Sequence, residues 1–167
     1  MRLVPLGPEH AAAILAGQDT ALEREVHGTR WQESELLAFL DRAQRWSADG
    51  PLREFAALGE DGTLIGTGGI HRVGSGLDRG EAALVYGLLP DHRGRGEGHR
   101  LARMLGDLAR ADPRIHTIVL RIAPENAASR AVAVGIGARR TAATEPHPAD
   151  ARRIVERWTL PLSDPPR

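Results

Sequence analysis

From Pro90 to Gly98 the chain reads Pro-Asp-His-Arg-Gly-Arg-Gly-Glu-Gly, set between an apolar run and an amphipathic one. Glycine lets backbone approach a ligand closely, and the unpaired amides that open a helix point outward with the positive end of its dipole. Such a loop suits an anion, and Arg93 and Arg95 add the charge to neutralise part of a diphosphate. A bare turn with solvated arginines is the plainer alternative. Two familiar phosphate loops do not fit. A P-loop ends in Gly-Lys-Ser/Thr and the chain has no lysine, while a dinucleotide fold places its glycines early and carries an acidic residue about 20 positions on.

Other groups that could do chemistry are few. Without cysteine there is no thiolate nucleophile, disulfide or thiolate zinc site, and no histidines stand at metal-ligand spacing, so no metal is expected. Among the remaining groups the imidazoles of His71, His92, His99 and His116 could supply a base, of which His71 is held as a reserve.

The elements that must position these groups can be read from periodicity. Residues 2–6 read as an edge strand, and Pro8 opens a helix through Leu15. Leu36, Leu37, Leu40 and Ala43 recur at helical spacing from Glu33 to Ala48. Phe55–Leu58 and Leu64–Ile70 flank an Asp61-Gly62 hairpin turn. A strand over Glu81–Leu89 stops at Pro90, a helix runs from Gly98 to Ala111, and Thr117–Ile122 is a strand. A helix over Ala127–Ile136, a final strand over Arg153–Leu162 and a frayed tail at Ser163–Arg167 complete the reading. A mixed sheet with helices on both faces buries these stripes most simply, in a single domain spanning residues 1–167 with no internal repeat.

Composition narrows the class. The 167 residues suffice for one self-supporting core, and the absence of a long apolar run or signal-like start implies a soluble, cytoplasmic protein without a membrane partner. Twenty-two basic residues balance 22 acidic ones, and the few aromatics form no stacking pattern, so nucleic acid is not an expected partner.

The central loop resembles the acetyl-CoA signature of the GNAT superfamily, Arg/Gln-x-x-Gly-x-Gly/Ala, met by Arg93, Gly96 and Gly98. Ile65-Gly66, Tyr86, Pro90 and Asn126-x-x-Ser129 resemble the branch that acetylates protein N-termini, and the likeness extends over about residues 3–162. It implies an α/β (α+β) fold: a mostly antiparallel sheet of about seven strands, splayed between the fourth and fifth. It implies acetyl-CoA as co-substrate, a primary amine as acceptor (a peptide N-terminus or a small molecule), and, as is common in the family, a homodimer.

The same resemblance implies that Tyr86, Gly87 and Leu88 pair with the pantetheine arm. The Leu88 amide would polarise the thioester carbonyl, an effect worth about 3–4 kcal/mol in comparable sites. Arg93, Gly94, Arg95, Gly96, Glu97, Gly98 and His99 would hold the diphosphate. Asn126 either contacts the arm or caps the following helix. The family's usual groups are missing in three places: Ala83 and Arg121 stand where relatives carry a basic glutamate, and Ala133 where they carry an acidic tyrosine. Glu81 is the remaining candidate base and Ser129 the candidate acid, each with a structural alternative. A sensor that binds acetyl-CoA without turnover is the competing reading. The residues about Glu23–Ser34 and Thr144–Ala151 are expected to shape the acceptor site, with Trp31 and Trp46 as further candidates.

Overall fold

In the computed structural model, which describes residues 1–46 and 48–162, the second strand, β2 (Leu52–Leu58), is buried on both faces. Phe55 and Ala57 enter one apolar cluster, while Ala56 and Leu58 enter another. A strand that alternates between two cores needs helices on both sides of its sheet. One layer is made by α4 (Glu97–Arg110) and α5 (Ala127–Gly135), the other by α1 (Ala11–Ala16) and α3 (Glu33–Arg45).

The remaining strands are β1 (Arg2–Pro5), β3 (Leu64–His71), β4 (Glu81–Leu88), β5 (Thr117–Ile122), β6 (Arg139–His147) and β7 (Asp150–Pro161). They form a seven-stranded sheet in the order β1-β2-β3-β4-β5-β7-β6, antiparallel except between β4 and β5. That parallel pair joins only Glu81, Ala82 and Ala83 to Thr117, Ile118 and Val119. Beyond it the strands diverge, as expected. Among the described residues no helix is long and apolar enough to cross a membrane.

Several elements differ from the sequence reading. The first helix begins as a 3-10 turn at Pro8–His10, and α3 ends at Arg45 with Trp46 as its C-cap. The frayed tail expected at Ser163–Arg167 lies outside the described residues. Two elements were not read from periodicity. The helical segment α2, Thr20–Leu22 with a π-helical continuation Glu23–His27, carries too few apolar residues to show a period; Asp19 starts it by accepting the Leu22 amide, and Gly28 ends it at φ 78°. Strand β6 is mostly exposed and polar, Arg-Arg-Thr-Ala-Ala-Thr-Glu-Pro-His, so pairing with β7 and not hydrophobic alternation makes it a strand.

Candidate active site

The divergence of β4 and β5 opens a cleft of about 830 Å³. It is bordered by Leu84–Tyr86, Leu120–Ile122 and, from α5, Asn126 and Ser129. Val26 and His27 of the π segment and residues 145–149 of the β6–β7 turn close its sides, so both stretches expected at the acceptor site line it.

The glycine loop begins at Pro90, four residues beyond Tyr86, the last β4 residue to line the cleft. Leu89 donates its amide to Ile65 of β3, and the alternation of an antiparallel ladder therefore turns the Leu88 amide to the other edge, into the gap. Gly94 and Gly96 take φ of 73° and 78°, which side chains disfavour, and Gly96 caps α4 without any side-chain hydrogen bond. The first amides of α4, at Glu97, Gly98 and His99, are thereby left for an anion. Gly87 leaves room for α2, since a methyl there would come within 2.6 Å of Leu22.

The side chains of this loop divide differently from expectation. Arg93 does not reach toward an anion: it makes a bidentate pair with Asp19 and donates to the Leu88 carbonyl at 2.9 and 3.1 Å. It takes the place of β5 as partner for that carbonyl and ties the loop to α2. His99 is turned into α5, its Nε2 3.1 Å from the Ala131 carbonyl, and Glu97 has a buried carboxylate oxygen without a hydrogen-bond partner. Arg95 is exposed in the loop, and Arg100 is exposed one turn into α4.

On the α4–α5 side of the cleft, Asn126 caps α5 by accepting the Ser129 amide at 3.0 Å, the capping alternative. Tyr86 projects toward Ser129. Its hydroxyl is buried without a well-formed hydrogen bond; burial pushes the phenol up to about 12, against the smaller opposing influence of the Ser129 hydroxyl. Ala133 is fully buried in the core, where a tyrosine would not fit.

On the opposite side lies a smaller pocket of about 190 Å³, floored by Val85 and walled by Trp31, Phe39 and His27. Trp31 stacks on Phe39 at 5.3 Å and is held by Gln18, which both donates to its carbonyl and accepts its amide. Trp46 borders neither cavity. At the junction of the two cavities His71 Nε2 meets Glu54 Oε1 at 2.6 Å. Glu54 was not singled out from sequence; only its register opposite Gly69, two residues before His71, brings it there.

Other carboxylates are neutralised. Glu81 was expected as a base, but it stands where β4 and β5 still pair, accepts the Asp78 amide and pairs with Arg157 at 2.6 Å. It does not line the cleft. Glu145 lines it between Arg121 and Arg157; burial works to raise its pKa, yet the two guanidiniums outweigh that and hold it below the usual carboxylate range. Glu25 pairs with Arg24 and Arg153. Among the described residues no cluster of side chains suits a metal ion.

Comparison with known proteins agrees with this architecture. The family model for the acetyltransferase (GNAT) domain matches residues 1–139. Spermidine N-acetyltransferase from Vibrio cholerae, solved with CoA and spermine, superposes with a TM-score of 0.79 at 16% identity, over 96% of this chain and 95% of that one. Aminoglycoside acetyltransferase AAC(6')-Ib, solved with acetyl-CoA and an aminoglycoside, gives 0.79 at 17% identity, over 95% and 92%. A GNAT-family acetyltransferase from Bacillus anthracis gives 0.78 at 14%, over 96% and 93%. A search of curated proteins found no match. With the family model covering most of its length, the chain belongs to the GNAT family, the acetyl-CoA-dependent N-acetyltransferases.

Proposed function

We propose that the protein transfers the acetyl group of acetyl-CoA to a primary amine by direct attack within a ternary complex. The observation that carries this reading is the divergence of β4 from β5 beyond Ala83, which opens a cleft beside the strand that carries the Arg93–Gly98 loop and sets it next to the aromatic pocket, with His71, Val85 and Tyr86 bordering both cavities. The residues fit such a donor. The α4 amides and Arg95 suit the diphosphate, and the gap-facing edge of β4 from Tyr86 to Leu88 suits the amide-bearing arm.

The Leu88 amide stabilises charge developing on the thioester oxygen, a contribution of about 3–4 kcal/mol in comparable sites. Tyr86, kept neutral by burial, and Ser129 beside it supply a proton to the departing sulfur. The amine enters from the opposite face, through the pocket of Trp31 and Phe39. Of the carboxylates bordering the two cavities, Glu25 and Glu145 are already paired with arginines, while Glu54 in the aromatic pocket meets an imidazole. This favours a monoamine with an apolar body over a polycation.

The test is calorimetric titration with acetyl-CoA, CoA and ATP, followed by free-thiol release over a panel of amines that includes 2-phenylethylamine, spermidine and a short peptide. Binding of the CoA forms but not ATP, with amine-dependent release led by the monoamine, is expected. Binding without release from any amine would replace catalysis with a sensor role, and no binding would overturn the reading.

A further inference from the structure

An amine can attack a carbonyl only after losing its ammonium proton, and alkyl ammonium groups titrate near 10. The two positions at which this family's resemblance places a carboxylate base are Ala83 and Arg121, and Arg121 is committed to Glu145. Ala83, however, has His71 as its cross-strand partner on β3. Paired residues of an antiparallel ladder share a face, so the imidazole stands beside the bare position, one strand over.

Three features prepare that imidazole. Its Nε2 lies 2.6 Å from Glu54 Oε1, and because a carboxylate only accepts, that contact selects the Nε2–H tautomer and leaves Nδ1 as the proton acceptor; Nδ1 has no protein hydrogen bond among the described residues. The pair occupies space that Gly69 vacates: a methyl at Gly69 would lie 2.5 Å from Glu54 Oε2 and 2.6 Å from His71 Nε2. Finally, His71 borders both the cleft and the aromatic pocket. It shares a face with Val85, while Tyr86 points to the other face, so proton acceptor and proton donor flank β4 from opposite sides.

The geometry points to Glu54–His71 as the general-base dyad of the acetyl transfer proposed above, with His71 the catalytic residue and Glu54 its positioning residue. His71 Nδ1 takes one proton from the acceptor's ammonium group. The freed nitrogen lone pair forms the C–N bond as the C–S bond breaks, the bond's electron pair leaves on sulfur, and the second proton lost by the nitrogen balances the one the sulfur receives through Tyr86 and Ser129. Competing groups fail individually. His147 Nδ1 accepts the Ala149 amide, Glu81, Glu25 and Glu145 are bound by arginines, and burial lowers the pKa of His27, with no carboxylate partner to stabilise its protonated form.

Among the residues that border the two cavities with His71, the titratable and charged groups are Glu54 on β2, Glu25 and His27 on the π segment, Tyr86 on β4, Arg121 on β5, and Glu145 and His147 on β6. Two measurements test the dyad. Imidazole nitrogen NMR of the protein without ligand, which needs no substrate, should find His71 in the Nε2–H tautomer, and Glu54→Gln should disturb that preference. An Nδ1–H tautomer would overturn the proposal even if no acceptor were known.

Kinetics with the fastest amine of the panel form the second arm. Removal of a general base costs roughly 100- to 10,000-fold in turnover. His71→Gln should lower kcat/KM at pH 7 by about that factor, with CoA affinity unchanged, and the deficit should shrink about tenfold per pH unit as solution hydroxide replaces the base. Glu54→Gln and Gly69→Ala should fall about tenfold in the same direction. A His71→Gln deficit below threefold, or one of the same size at every pH, would overturn the proposal. Failure of every amine to release thiol from the wild type would instead count against acetyl transfer itself.

Discussion

The two halves of the cleft are built from different materials. On the donor side the recognising groups are backbone: the Leu88 amide, the left-handed Gly94 and Gly96, and the uncapped start of α4. On the acceptor side they are side chains drawn from four distant segments, with Trp31, Phe39, Glu54 and His71 converging on one pocket. A backbone site constrains residues at fixed local spacing and tolerates few exchanges. A side-chain site can move its functional groups from strand to strand while the fold stays constant, and the missing carboxylate at Ala83 beside His71 is an instance of that freedom.

The largest effect that would sharpen this contrast is expected from Gly98→Asp. A side chain at Gly98 meets only ordinary contacts, 3.4 Å to Val132 and 3.7 Å to Leu88, and an acid in the first turn favours the helix itself. Yet a carboxylate about 5 Å from a bound phosphate opposes it by about 3 kcal/mol at an effective dielectric near 20. CoA affinity should therefore fall roughly 100-fold with thermal stability unchanged. A loss under fivefold by calorimetry would mean that the diphosphate is not held by these amides.

The same contrast explains what the sequence disclosed. The splayed sheet and the loop were readable because Arg93, Gly96, Gly98 and the strand–loop–helix order lie within one short stretch. The roles of individual side chains in that stretch were less readable. Arg93 looked like a phosphate ligand, yet its partner Asp19 lies 74 residues away. Glu81 looked like a base because a strand's alternation places it on the face of Ala83, but its neighbour Arg157 comes from the last strand. Glu54 left no local trace, since only the β2–β3 register sets it against Gly69 and His71.

A smaller effect probes the face of the cleft where the two halves meet. Tyr86→Phe removes a buried hydroxyl that has no well-formed hydrogen bond, so the folded protein should gain up to about 1 kcal/mol while kcat falls about 10- to 100-fold. Ser129→Ala should lower kcat less, because the phenol remains. Thermal melts and single-turnover thiol release check both. Full activity in Tyr86→Phe together with a loss of stability would make the hydroxyl structural and remove the proton donor from this side.

The smallest expected effect concerns an ion pair that joins the halves. Asp19 caps α2 on the acceptor side and binds Arg93 of the donor loop, whose hydrogen bonds hold the Asp19 carboxyl below its usual range. Asn also caps helices, so Asp19→Asn keeps the cap and removes the charge. Both side chains are about a third exposed, 32% and 37%, which limits the stability change to under about 1 kcal/mol. A folded-state pKa below the unfolded value of about 3.9 means that this contribution is complete above that value and disappears as pH falls through the folded pKa. The wild type should therefore lose its small advantage over Asp19→Asn in acid melts below about pH 4. If the pair couples the halves, the variant should also weaken CoA binding and raise the acceptor KM together, each by a few-fold; a change in only one of them would show that backbone and side-chain halves are set independently.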